Sequence, residues 1–136
     1  MSENRRVVVT GIGAITPLGN NVTDTWVGMK NGKNGIAPIT LFDTENFKAK
    51  LGAEVKGFDP KEYLAVNDVL RTDRYAQFAV AAAQQAVDES GVGGTVKPER
   101  FAVIFGTGIG RYRYFGNRTH QVNWRKVPAS VSPRRY

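Results

Sequence analysis

Residues 72–90 set the tightest limit on the fold. Tyr75, Phe78, Ala79, Ala82, Ala86 and Val87 recur at helical spacing and make one apolar stripe, while Gln77, Gln84, Gln85, Asp88 and Glu89 lie largely off it. Gly91 follows where a helix would stop. Within the stripe, Ala81-Ala82-Ala83 leaves room for another backbone to approach closely. A helix of this kind needs a surface to cover, and two apolar runs offer one. Val7-Val8-Val9 is closed by Thr10-Gly11, and residues 101–105 lead into Gly106-Thr107-Gly108-Ile109-Gly110. Each run reads as a buried strand ending in a tight turn. Strands that are apolar throughout belong in a parallel or mixed sheet covered by helices, so the expected class is α/β.

The intervening sequence is less regular. Residues 20–32 predict a second helix, with Asn21 and Thr23 as cap residues, Asp24 near the favourable N-terminus, Trp26 and Met29 for burial, and Gly32 as a stop. Residues 33–66 carry Gly, Lys and isolated aromatics such as Phe42, Phe47 and Phe58 without either period. They read as loops with one short strand near residues 53–55.

The length of 136 residues suits one globular core. A net charge of +7 would suggest nucleic acid or an acidic membrane as a partner, but its location argues otherwise. Up to Gly110 there are twelve basic and twelve acidic residues, so that stretch is neutral. Arg111, Arg113, Arg118, Arg125, Lys126, Arg134 and Arg135 follow with no acid among them. The basicity belongs to residues 111–136 alone. No cysteine is present, which removes disulfides, thiolate metal sites and thiol nucleophiles. The apolar run after Arg5 and Arg6 is broken by Thr10, Gly11, Gly13 and Pro17, so it predicts neither a signal peptide nor a membrane span. A cytoplasmic protein is expected.

Two glycine-rich turns are candidates for chemistry. Gly11-Ile12-Gly13-Ala14-Ile15-Thr16 follows an expected strand and imitates a dinucleotide fingerprint, in which glycines admit a pyrophosphate. However, Thr16 replaces the third glycine, Pro17 stands where the helix should run, and no acid closes a second strand at the expected distance. A turn requiring unusual backbone angles is the competing reading. Residues 106–110 carry the same ambiguity when taken alone. His120, the sole histidine, sits among Arg118, Thr119 and Gln121 with no motif around it and reads as a solvated side chain.

Taken in order, RRVVVTGIGAITPLGN, TWVGMKNGKNGI, the FD at Phe42, KGFDPKEYL, RTDRYAQFAVAAAQQAVDESG and VIFGTGIG have a common source. Over about residues 4–110 the chain resembles the N-terminal part of a β-ketoacyl-acyl carrier protein synthase of the elongating type II class. The resemblance implies an incomplete thiolase-like fold, a homodimer, acyl carrier protein as partner, and decarboxylative condensation within fatty acid synthesis. It implies no cofactor, no metal and no membrane partner. In that family a cysteine carries the acyl chain and two histidines stabilise the developing oxyanion. Those residues lie downstream of everything this chain matches, so no catalytic residue is assigned to it. One position carries over: Ile109 matches the isoleucine that lines and gates the acyl-chain pocket, although such a residue also packs a turn.

Residues 111–136 depart from that pattern. Arg111-Tyr112-Arg113-Tyr114 written as CGG TAT CGG TAT becomes Gly-Ile-Gly one base downstream, where the family has a glycine-rich continuation. Ala129-Ser130-Val131-Ser132-Pro133 similarly yields Arg-Val-Ser-Pro at the distance the family would place it. A frameshift after Gly110 therefore accounts for the neutral body and the acid-free tail, read here as a disordered, non-family segment. The alternative is a small binding protein whose tail is selected. Arginines interleaved with Tyr112, Tyr114, Phe115 and Trp124 suit phosphate neutralisation and base stacking on single-stranded nucleic acid. An isolated body would expose sheet edges and an apolar helix face, so low stability or aggregation is expected.

Overall fold

The computed structural model describes residues 6–107. A compact unit reaches as far as Gly106. Three helices dominate it: α1 (Val22–Lys30), α2 (Val66–Arg71) and α3 (Arg74–Ser90). Two-residue strands β1 (Ala37–Pro38) and β2 (Leu51–Gly52) lie between α1 and α2, and 3-10 turns occupy Pro60–Glu62 and Pro98–Arg100.

Helix α1 begins as its sequence predicts. The Asn21 side chain accepts a hydrogen bond from the Asp24 amide at 2.7 Å and donates one to the Asp24 carboxylate at 2.8 Å. This reciprocal cap satisfies an N–H that the first helical turn leaves unpaired. At the other end Gly32 takes a positive φ of 63°. Trp26 and Met29 are exposed, contrary to their expected burial. The residue of α1 that is buried is Gly28, against Leu18.

Helix α3 starts at Arg74, two residues later than its apolar period suggests, and ends on Gly91 in the left-handed region. Its buried centre is Ala81, fully inaccessible, with Gln77 at 7% exposure. Gln77 was placed off the buried stripe by polarity. It is accommodated because its amide nitrogen donates to the carbonyls of Val69 and Thr72, each at 3.1 Å, tying α3 to the end of α2. A buried polar group is tolerable when its bonds are made.

Phe58 reads as an isolated loop aromatic, yet with 8% exposure it is the large apolar side chain in the core. Its ring meets Phe78 edge-on at 4.9 Å and stacks on Tyr63 at 6.1 Å. The Arg74 guanidinium covers the Phe58 and Phe78 rings at 5.4 and 5.1 Å. Aromatic edges and a cation over ring faces are both favourable arrangements.

The expected parallel or mixed sheet is absent among the described residues. The one sheet is the antiparallel pair β1 and β2, with Ala37 opposite Gly52 and Pro38 opposite Leu51. The short strand foreseen at residues 53–55 thus lies slightly earlier. Neither Val7-Val8-Val9 nor residues 101–105 forms a strand, and Val7 and Ile104 are 85% and 89% exposed. The reason is physical. A strand exists only through hydrogen bonds to a neighbour, and these two β-prone runs have no neighbouring strand among the described residues.

Candidate functional site

The first glycine turn owes its glycines to proximity. Neither Gly11 nor Gly13 has a positive φ, so the expectation of unusual backbone angles is not met. A Cβ on Gly13 would lie 1.8 Å from the Ala82 carbonyl oxygen, and one on Gly11 would lie 2.1 Å from that of Ala86. The turn rests directly on the small-residue face of α3, as Ala81-Ala82-Ala83 allows.

The same contact excludes the dinucleotide reading. A pyrophosphate loop presents free amide N–H groups at the start of a helix. Here the Ile12 amide donates to the Glu89 carboxylate and the Ala14 amide donates to Gln85 Oε1 at 3.2 Å. No helix follows directly either. Thr16, where a third glycine would stand, organises a tight turn with Pro17 and Leu18 instead. Its amide donates to the Gly19 carbonyl at 2.9 Å, and its hydroxyl accepts from the amides of Leu18 and Gly19, both at 3.2 Å. It also shares a hydrogen bond with Thr25 in α1 at 2.9 Å.

Gln85 is the hub that sequence reading misses. Besides accepting from Ala14, it donates through Nε2 to the Asn20 carbonyl at 2.8 Å and to the Tyr63 hydroxyl at 3.1 Å. One side chain on α3 thereby holds the glycine turn, the approach to α1 and the 3-10 turn of Pro60–Glu62. The available signal was a glutamine beside an apolar stripe, which is compatible with solvent as well as with a buried network.

On another side of α3, Val80, Ala83 and Val87 form one wall of a groove, with Phe101, Val103 and Phe105 opposite. The alternate residues of the second wall face α3, as in a strand. This segment delivers the chain to Gly106-Thr107. Ile109, the candidate acyl-pocket residue, lies outside the described residues, as do His120 and all of residues 111–136.

The described residues hold scaffold rather than reactive groups. Among them no set of His, Cys, Asp or Glu is placed to hold a metal ion, and no helix is long and apolar enough to cross a membrane. Glu54 is the titrating group with a clear shift. The Thr40 hydroxyl and amide, at 2.7 and 2.9 Å, hold its carboxyl below the usual glutamate range. It fastens the start of the segment after β1 and has no partner suited to acid–base chemistry.

The model of the β-ketoacyl synthase N-terminal domain family matches residues 4–134. The chain belongs to the β-ketoacyl synthase family. The match runs past Gly110, where the quoted motifs stop, and so includes most of the basic tail. Among curated relatives, the chain is similar to 3-oxoacyl-[acyl-carrier-protein] synthase 2 of Synechocystis, at 46% identity over 96% of this chain and 32% of that protein. The synthase 2 of Coxiella burnetii is 44% identical with the same coverage, and that of Staphylococcus aureus 38% identical over 98% of this chain. The chain therefore spans about a third of the length of the relatives it matches.

Solved structures agree. The ishigamide ketosynthase/chain length factor aligns with a TM-score of 0.56 at 41% identity, covering 64% of this chain and 22% of that one. A β-ketoacyl synthase from Burkholderia phymatum aligns with a TM-score of 0.53 at 27% identity, covering 65% and 22%. The fold described above is thus part of a ketosynthase domain.

Proposed function

We propose that this chain is the N-terminal segment of an elongating β-ketoacyl-acyl carrier protein synthase, with a scaffolding and pocket-forming part in decarboxylative condensation. The observation carrying this reading is the 38–46% identity to 3-oxoacyl-[acyl-carrier-protein] synthase 2 proteins along nearly the whole chain. In the complete thiolase-like domain, the α/β class is restored when Val7-Val8-Val9 and residues 101–105 gain neighbouring strands. Acyl carrier protein is the substrate partner, a second copy the dimer partner, and the cytoplasm the location.

The chemistry divides accordingly. Condensation needs a nucleophile to hold the acyl group and donors to stabilise the oxyanion that forms as carbon dioxide leaves. With no cysteine and a single histidine remote from any motif, this chain supplies neither. Its own contribution is Ile109, an apolar side chain in the glycine turn at the end of the Phe101–Phe105 wall, lining the acyl pocket. By itself the chain is inactive.

The reading also includes a change of frame after Gly110. A shifted frame alters residues without altering their number, so an alignment runs on to residue 134 across a stretch whose residues have changed.

A chimera tests the enzymatic part. Residues 6–107 replace the matching segment of the Synechocystis relative, and condensation of malonyl- and acyl-acyl carrier protein is followed by product mass. Turnover within about tenfold of the parent is expected. A folded chimera that has lost condensation altogether would refute the assignment.

A further inference from the structure

The groove on α3 has a surface on both of its sides that water should not touch. Phe101, Val103 and Phe105 face Val80, Ala83 and Val87, while Ile104 on the opposite side of the same segment is almost wholly exposed. A segment apolar on both faces is the pattern of a strand in a sheet interior, covered above and below and paired at its edges. Whatever covers it must supply neighbouring strands.

A second copy of this chain is poorly equipped for that. Its described residues contain a single two-residue ladder, and its other strand-prone segments are the same unpaired runs. The part of a β-ketoacyl synthase domain beyond the matched span is about twice this chain's length, since the relatives are matched over 32% of theirs. It is the occupant with the material to complete the sheet.

We propose that the groove between α3 and residues 101–105 binds the C-terminal remainder of a β-ketoacyl synthase domain as a separate polypeptide, so that two pieces reassemble one fold without a covalent link. The inference rests on the family reading above and adds to it that the joint is non-covalent and centred on this groove. The remainder's strands pair with residues 101–106, and its apolar side chains cover Ile104 and the exposed edge of α3. Exposed apolar patches of this kind mark interaction surfaces.

The test co-expresses the full 136-residue chain with the Synechocystis relative lacking its matched segment, tagged on the latter. A one-to-one complex is expected by native mass spectrometry, with new hydrogen-exchange protection over residues 101–106. Val80→Asp and Val103→Lys each place a charge in the apolar groove and weaken the complex at least about tenfold. Leu70→Lys, an exposed position on α2 outside the groove, leaves it unchanged. Circular dichroism and exchange protection of α3 in each variant separate lost binding from lost folding.

Absence of a complex, equal weakening by Leu70→Lys, or a mass made of this chain alone would overturn the proposal. The chimera distinguishes the two claims. An active chimera without a trans complex removes this inference and leaves the family reading standing. A trans complex beside a folded but inactive chimera does the reverse to the enzymatic assignment.

Discussion

Replacing Gly13 with alanine tests the contact on which the N-terminal half is built. The new Cβ would lie 1.8 Å from the Ala82 carbonyl oxygen, 2.8 Å from its carbonyl carbon and 3.0 Å from Gln85 Cβ. Two of these atoms are helical backbone, which cannot rotate aside as a side chain would. Overpacking of this kind costs about 1–3 kcal/mol. Relief requires the turn to lift from α3, which sacrifices the Ala14 bond to Gln85 and the Ile12 bond to Glu89. Each bond is worth about 1 kcal/mol. A loss of about 3 kcal/mol is large beside the 5–15 kcal/mol typical of whole domains. With Phe58 and Ala81 as the buried apolar residues among those described, the margin here is small. The expected result is a urea midpoint lowered by about 1 M or more, together with lost exchange protection at the Ile12 and Ala14 amides. Gly106→Ala is the control, because nothing lies within 4 Å of its Cβ position. Equal stability of the two variants would show that the turn does not rest on the helix as described.

Three further outcomes follow from named contacts. Gln85→Ala removes three hydrogen bonds at once and should cost about 2–3 kcal/mol, read by urea unfolding, with exchange at Ala14 accelerated. Gly91→Ala forces a side chain into the left-handed region at φ 62° and should destabilise by about 1–2 kcal/mol, fraying the end of α3 in exchange experiments. Glu54 titrates below the ordinary glutamate value because Thr40 bonds its ionised form. Its stabilising effect is therefore present above the unfolded-state pKa and disappears as pH falls through the lower folded-state pKa. A carbon-detected NMR titration should show the low midpoint, and Thr40→Val should return it toward the ordinary value.

The helices were legible because their signals are local. Asn21 with Asp24, Gly32, the α3 apolar stripe and Gly91 each act within a few residues, and the structure places α1 and α3 accordingly. The strands were legible as tendency only. Val7-Val8-Val9 and residues 101–105 have the composition of buried strands, but pairing partners are a property of the rest of a domain, not of the run itself. Polar anchoring was the least visible part. Gln77 and Gln85 look like solvent-facing residues until the carbonyls and amides around them are placed. Phe58 gave no periodic signal, since it enters the core from a loop beside Gly57, which has a φ of 67°. The candidate pocket residue Ile109 came from family likeness alone.

The nucleotide sequence across the Gly110 codon and the several hundred bases beyond it tests the central claim most directly. The account predicts that one alternative frame resumes with Gly-Ile-Gly and Arg-Val-Ser-Pro, then continues through a cysteine and two histidines in the order of a β-ketoacyl synthase. A sequence with no such frame would contradict it, and would leave residues 111–136 as a selected basic segment.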